Sequence, residues 1–128
     1  KEIQPDFKII NKMAEKIDKG KEGEEYAVNF LIKKGFEIID RNFTSRNSEI
    51  DIICKKDEML VFVEVRMKAT SDYGYPESTM SKSKMNAIKR GAEAYLLLHP
   101  WDGEARFDFI SIIEYPKFEL VHFEDAFF

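Results

Sequence analysis

The amino-acid sequence predicts a mixed α/β domain with the element order αβββαβ followed by a C-terminal strand. Apolar residues recur at helical spacing in two segments, 20–34 and 81–98. Shorter segments have the apolar or alternating composition of strands, and polar turns separate them. Because three strand segments lie between the two helices, we expect one mixed sheet covered by helices.

Length and composition predict one globular domain. The chain has 128 residues, 44% hydrophobic and 34% charged, which is typical of a single folded core. Residues 1–19 are expected to form a charged, partly helical or disordered extension, and residues 20–128 the domain. No apolar run approaches the roughly 20 residues of a membrane helix, and the single Cys54 permits no intramolecular disulfide. We therefore expect a cytoplasmic protein without a membrane partner, with Cys54 in the core.

The charge balance restricts any nucleic-acid site to a local patch. The chain has 20 basic and 24 acidic residues, a net charge of −4, whereas phosphate binding needs a basic footprint. Segment Ser81–Arg90 has four basic residues and no acidic one. Lys82 and Lys84 lie near the start of the second helix, where a phosphate would also meet free N–H groups, although lysines on a helix commonly form only its solvated side.

The first helix presents one acidic residue toward the interior. Ala27, Phe30 and Leu31 share its apolar face, and Gly35 is expected to end it. Glu24 precedes Ala27 by three residues and so lies on the same face. The alternative is a surface or capping role near the helix start.

The segment Glu49–Lys68 is expected to form a hairpin that carries carboxylates. If Asp57 and Glu58 form its turn, Asp51 lies opposite Glu64 with Cβ atoms about 5 Å apart, and Glu49 lies opposite Arg66. This register also groups the apolar residues on the other face: Ile50, Ile52, Cys54, Val61, Val63 and Val65.

Glu64 has two interpretations. It is either an exposed residue that forms a salt bridge with Arg66 or Lys68, or a buried residue that needs a partner. Leu60 and Phe62 make the strand apolar on both faces, which is typical of a central strand. A buried carboxylate pair would repel without a cation, and hard divalent ions such as Mg²⁺ prefer carboxylate oxygens.

Two polar loops flank the hairpin. A short strand at 36–39 is expected to lead into a loop at 40–48 that contains Arg41 and Arg46. The loop at 69–80 is rich in Ser, Thr, Tyr, Gly and Pro, and it is either a substrate-contacting flap or an ordinary connection.

The C-terminal part is expected to be structural. Strands are predicted at 105–113 and 118–123, with Arg106 and Asp108 on one face as an internal salt bridge. His99 and His122 lack partners at metal-ligand spacing and are interpreted as structural. The tail ends in two Phe residues that must pack on the domain or on a second copy, so a homodimer is possible.

Several motifs in order resemble the bacterial UPF0102 (YraN) family. They are GKEGEE, RNF, SEIDIICKKDEMLVFVEVR, the YGYPES loop, Lys84 and ARFDFISI. The resemblance covers about Gly20 to the tail. It implies a restriction-endonuclease-like core related to archaeal Holliday junction resolvases, and a Mg²⁺- or Mn²⁺-dependent endonuclease acting on branched or single-strand-containing DNA.

The resemblance also implies roles for individual residues. Asp51 and Glu64 would be metal ligands, Glu24 a third acid near the metal, and position 66 the catalytic cation. Glu49 would support the same face. The residues expected to hold the DNA are Lys82, Lys84, Lys68 and Arg46.

Position 66 departs from the nuclease pattern because it is Arg rather than Lys. Arg stays protonated and cannot act as a general base, but it can stabilise charge on a phosphate. Lys68 lies on the same face about 6.6 Å further along the strand. Two alternatives therefore remain, a DNA-binding module that does not cleave and an interaction protein that dimerises through its aromatic tail.

Overall fold

The computed structural model describes residues 19–126 and confirms the element order αβββαβ followed by a C-terminal strand. The elements are α1 Lys19–Lys33, β1 Glu37–Ser45, β2 Ser48–Lys56, β3 Met59–Lys68, a short 3-10 helix Pro76–Thr79, α2 Lys82–Leu98, β4 Glu104–Ile113 and β5 Glu119–Phe123. Residues 1–18 of the expected extension, and the two Phe residues that end the tail, lie outside the described residues.

The five strands form one mixed sheet in the order β1-β2-β3-β4-β5. Only β3 and β4 pair in parallel, and α2 lies in the connection between them. The other neighbouring strands pair antiparallel. This order makes β3 the central strand, as its apolar composition predicted. No helix in the described part of the chain is long and apolar enough to cross a membrane.

Each face of the sheet is covered by one helix. On one face α1 contributes Ala27 and Leu31 to a cluster that contains Ile52, Cys54, Val61, Val63 and Val65. On the other face α2 contributes Ile88, Ala92 and Tyr95 to a cluster that contains Ile50, Ile53, Leu60 and Phe62. The buried Cys54 is a core residue, as expected, and burial raises the pKa of its thiol to about 12.

Glycines set the position and the end of α1. A Cβ on Gly23 would lie 3.0 Å from Cβ of Met67 on β3, so the missing side chain lets the start of the helix approach the central strand closely. Gly35 adopts φ +101 directly after the helix, which confirms it as the expected stop. The contact places Gly23, the residue before Glu24, against β3.

The second helix begins and ends as predicted. The Ser81 hydroxyl accepts a hydrogen bond from the Lys84 backbone N–H, and the helix is capped at its other end by His99. The side chain of Ser48 donates to the carbonyl of Ala87. A Cβ on Gly91 would overlap Ser48 Oγ, so this glycine permits the close contact between α2 and β2.

The expected loop at 40–48 is wrong for most of its length, because β1 continues to Ser45 and only residues 46 and 47 form the turn to β2. A bulge between Ile38 and Asp40 and a positive φ at Asn42 interrupt the alternation of side chains. Since β1 is an edge strand with one row of exposed residues, polar side chains are tolerated there. These features hid the strand in the sequence.

Candidate active site

The predicted hairpin register is confirmed between the turn and Ile52, whereas the predicted pairs Asp51–Glu64 and Glu49–Arg66 lie beyond the described pairing. Pairing of β2 with β3 runs from Lys56 and Met59 to Ile52 and Val63, which makes Asp57 and Glu58 the turn. Asp57 adopts φ 56, and Asp tolerates this conformation better than most residues.

The predicted alternation of β2 is wrong at one residue. Ile52 packs beneath α1, whereas Ile50 packs in the α2 cluster on the opposite face of the sheet. Side chains two residues apart in a regular strand share a face, so the strand changes its facing at Asp51. The carboxylate of Asp51 lies where this change occurs and where the described β2–β3 pairing ends.

Asp51 is held by the neighbouring strand. Its Oδ2 accepts a 2.8 Å hydrogen bond from the backbone N–H of Val65 on β3, a donor that would otherwise need a partner. Burial and the charge of the adjacent Glu64 raise the pKa of Asp51 to about 8, and Glu24 adds to the increase. The site therefore concentrates negative charge around Asp51.

Glu64 is buried on the central strand. Its side chain is 4% exposed, and Oε2 accepts a 2.8 Å hydrogen bond from Nε of Arg66. The interpretation of Glu64 as a surface residue is therefore wrong, although the ion pair with Arg66 that it proposed is present. Lys68 contacts a different group, since its Nζ lies 3.4 Å from the carbonyl oxygen of Gly74.

Asn42 joins two further carboxylates to the site. Its Nδ2 donates to Oε1 of Glu24 at 2.9 Å and to Oε2 of Glu49 at 3.3 Å. Burial raises the pKa of Glu24, and the nearby charge of Glu49 adds to this while Asn42 opposes it. Glu49 thus lies with Glu24. Asn42 was not predicted as a site residue; its place in the RNF motif, and the enrichment of Asn at positive φ, are the signals that could have indicated it.

The basic residues expected to bind DNA lie in three places. Lys82 and Lys84 are in the first turn of α2, and Lys68 is at the end of β3. Arg46 is in the β1–β2 turn, where it lines a groove of about 440 Å³ together with Arg90 of α2. Glu93 lines the same groove.

The donor set fits a divalent metal in its chemistry. Among residues 19–126, no group of three or more His, Cys, Asp or Glu side chains is arranged as a metal site. Mg²⁺ needs fewer protein ligands, because one or two carboxylates with water and phosphate oxygens complete its coordination. Asp51 and Glu64 are two adjacent carboxylates whose mutual repulsion a cation would relieve. The neighbouring cation Arg66 contacts Glu64 through the described hydrogen bond.

Another buried carboxylate, Asp108 on β4, is surrounded by hydrogen-bond donors rather than by other carboxylates. It accepts hydrogen bonds from Arg106 at 2.9 and 3.2 Å and from the Asp125 N–H, and it lies 2.8 Å from Nε2 of His122. Burial alone would raise the pKa of Asp108, but these partners hold it below its usual value. The predicted internal salt bridge of Arg106 and Asp108 is confirmed.

Comparison with known proteins identifies the family. A family model described as "Uncharacterised protein family UPF0102" matches residues 23–112. The chain belongs to the UPF0102 family. The matched range of this UPF0102 protein includes Glu24, Asn42, Asp51, Glu64 and Arg66, and it ends near the close of β4.

Curated UPF0102 relatives cover most of the chain. A UPF0102 protein of Flavobacterium psychrophilum is 40% identical over 117 residues, covering 91% of this chain and 98% of the relative. One from Persephonella marina is 44% identical over 110 residues, with 85% and 92% coverage. One from Dictyoglomus turgidum is 42% identical over 106 residues, with 82% and 90% coverage.

Proposed function

We propose that this UPF0102 protein is a Mg²⁺- or Mn²⁺-dependent endonuclease that hydrolyses phosphodiester bonds of DNA. The observation that supports this most directly is the placement of Asp51 beside the buried Glu64, with Arg66 bonded to the same carboxylate. Two crowded carboxylates and one fixed guanidinium provide a cation site next to a phosphate-binding group. The family resemblance found in the sequence implies the same chemistry.

Asp51 and Glu64 would hold the metal. The Val65 N–H fixes the Asp51 carboxylate beside Glu64 through a 2.8 Å hydrogen bond to Oδ2. When bound, a divalent ion supplies Lewis-acid activation of water and of the phosphate. Glu24 and Glu49, joined by Asn42, add negative potential that favours a cation at this position.

Arg66 would stabilise the charge that develops on the phosphate. Its Nε is occupied by Glu64, and a guanidinium has further N–H donors in a fixed plane that suit phosphate oxygens. Because Arg stays protonated, it cannot accept the proton of the attacking water. Its proposed contribution is electrostatic.

The groove between the β1–β2 turn and α2 would hold the DNA backbone outside the cleavage site. Arg46 and Arg90 line it, and neither is in an ion pair within the described part of the chain. Ser48, which also lines the groove, precedes Asp51 by three residues, or about 10 Å along the strand. One DNA strand can therefore contact the groove and the carboxylates together.

The test is cleavage of linear, flapped and four-way DNA in Mn²⁺ or with a chelator. We expect wild-type protein to cleave only with metal. The cleavage rate should fall at least about 100-fold in Asp51→Asn and in Glu64→Gln, because removing a residue that contacts a metal only indirectly already lowers metal affinity or activity 10- to 100-fold. The matched controls are Asp57→Asn and Glu58→Gln in the exposed hairpin turn. Undiminished cleavage by Asp51→Asn would rule out the proposed site.

A second candidate is a DNA-binding module that does not cleave. The Arg at position 66 favours it, because this residue replaces the Lys of the nuclease pattern and is paired with Glu64. This candidate predicts salt-dependent DNA binding without turnover. Metal-dependent cleavage that is lost in Asp51→Asn would exclude it.

A further inference from the structure

The loop that follows β3 presents two tyrosines to solvent. Tyr73 is 97% exposed and Tyr75 is 53% exposed. Aromatic side chains usually bury a large area, yet neither ring contacts another aromatic ring in the described part of the chain. These two exposed rings, two residues apart along the chain, are called the aromatic surface.

Hydrogen bonds of the backbone hold this loop in place. The Gly74 N–H donates to the Ser71 carbonyl at 3.0 Å, and the Ser78 hydroxyl donates to the Tyr75 carbonyl at 2.6 Å. Gly74 adopts φ +107, which only glycine adopts readily. Pro76, directly after Tyr75, is buried. The loop is therefore fixed by its backbone and by Pro76, and the tyrosine rings remain free to bind a ligand.

The aromatic surface follows β3, whose last residue, Lys68, lies four residues beyond Glu64 of the candidate active site. Glu64 and Lys68 are four residues apart, or about 13 Å along the strand, and Lys68 Nζ reaches the Gly74 carbonyl at 3.4 Å. The 3-10 helix that follows the tyrosines packs against β3 and β4. A cation and two aromatic faces thus lie within a few nucleotide lengths of Asp51 and Glu64.

We propose that Tyr73 and Tyr75 form a stacking platform for unpaired DNA bases, with Lys68 near the adjoining phosphate. An aromatic face binds any unpaired base by stacking, whereas bases within a duplex are already stacked on their neighbours. The inference rests on the proposed function, since it assigns a DNA feature to the same site. It predicts preference for flaps, gaps and single strands over both continuous duplex and a fully paired four-way junction.

The experiment measures binding of full-length protein to DNA that carries 2-aminopurine in a flap, with chelator present so that no cleavage occurs. We expect the double variant Tyr73→Ala/Tyr75→Ala to bind the flap about 5- to 100-fold more weakly. Affinity for duplex should stay unchanged. Tyr73→Phe/Tyr75→Phe should retain both the affinity and the fluorescence change, because Phe keeps the stacking face. Leu98→Ala, which removes another exposed apolar side chain, is the control.

Three results would overturn the platform. The double Ala variant could bind the flap like wild type, or lose flap and duplex binding equally. Alternatively, it could change the sedimentation of the protein while leaving DNA binding intact, which would make the surface a protein contact. If the protein does not cleave DNA but its flap binding depends on the two tyrosines, only the proposed nuclease activity is refuted. If it cleaves DNA but its flap binding does not depend on them, only the stacking platform is refuted.

Discussion

The backbone N–H of Val65 donates a 2.8 Å hydrogen bond to Oδ2 of Asp51. This bond connects the carboxylate of β2 to the strand that carries Glu64, at the point where the described pairing of the two strands ends. Asp51 is consequently fixed next to Glu64, although burial and that neighbour raise its pKa to about 8. Such perturbed carboxylates are common in functional sites because stability alone does not favour them.

The first prediction is that Asp51→Asn stabilises the metal-free protein in alkaline solution. The folded pKa of Asp51 is about 8, against about 4 when unfolded. Between these values the folded protein keeps a proton that the unfolded chain has released, so this residue lowers stability as pH rises. Asn removes the titration, and its oxygen can still accept the Val65 N–H.

Thermal unfolding with chelator checks this expectation. Near pH 8 the free energy of unfolding of the Asn variant should exceed that of wild type by about 1–3 kcal/mol. This is less than the whole pKa shift of Asp51 implies, because the residue is partly exposed. The difference should shrink toward about pH 4. Asp57→Asn, in the exposed turn, should show no such dependence. A lower stability of Asp51→Asn near pH 8 would contradict the crowding of charge at Asp51.

The second prediction concerns Arg66. Arg66→Gln leaves the charge of the buried Glu64 without its 2.8 Å partner. We expect the free energy of unfolding of the metal-free protein, measured in urea, to fall by about 1–3 kcal/mol, a range that allows for the partial exposure of the guanidinium. Cleavage should fall about 100-fold or more. Arg66→Lys should be affected less in both measurements, since it keeps the charge.

Lys68→Gln is the control for position 66. Lys68 contacts the Gly74 carbonyl rather than Glu64, so its loss should cost less stability than Arg66→Gln. If Lys68→Gln has the larger effect on the stability of the metal-free protein, the assignment of Arg66 as the partner of Glu64 is wrong.

The third prediction contrasts Asp108 with Asp51. Asp108 is fully buried between Arg106 and His122, and Asp108→Asn leaves buried cationic and N–H groups poorly satisfied. We expect a loss of about 3–5 kcal/mol near neutral pH, measured by urea unfolding. Because the folded pKa of Asp108 is lowered, its contribution is present above about pH 4 and disappears as the pH falls through the folded value. An Asn variant as stable as wild type at neutral pH would refute a structural role.

The fourth prediction concerns the groove that Arg46 and Arg90 line. Replacing either Arg by Gln should weaken binding to all DNA substrates and reduce the slope of log affinity against log salt by about 0.7–0.9 for each phosphate that the variant no longer neutralises. Fluorescence anisotropy across a salt series measures this slope. Lys117→Gln, exposed in the β4–β5 turn, is the control, and an equal change of slope in that variant would remove the groove from the DNA interface.

Periodicity predicted the parts of the fold that depend on apolar side chains. The inward face of α1, with Ala27 and Leu31, and the central position of β3 follow from the need to bury apolar area. The register of β2 and β3 followed from the polar turn at Asp57 and Glu58 together with the facing valines.

Features that depend on backbone irregularity were not predictable in the same way. The positive φ of Asn42 and the change of facing between Ile50 and Ile52 leave no periodic signal. These two irregularities nevertheless shape the candidate site, because they place Asn42 and Asp51 outside regular strand geometry. Of the contacts of Asp108, the sequence predicted the one with Arg106, which is two residues away on the same strand. The contact with His122 was not predicted, because it depends on the pairing of β4 with β5.

Binding of Mn²⁺ tests the central claim most directly, because it examines Asp51 and Glu64 without relying on the choice of DNA. Electron paramagnetic resonance of free Mn²⁺ near pH 8 should show that wild type and Asp57→Asn bind the ion, and that Asp51→Asn and Glu64→Gln bind it at least about 10-fold more weakly. Affinity in the wild type should fall as the pH drops below about 8, since protons compete for Asp51. Equal Mn²⁺ affinity in wild type and Asp51→Asn would contradict the proposed metal site.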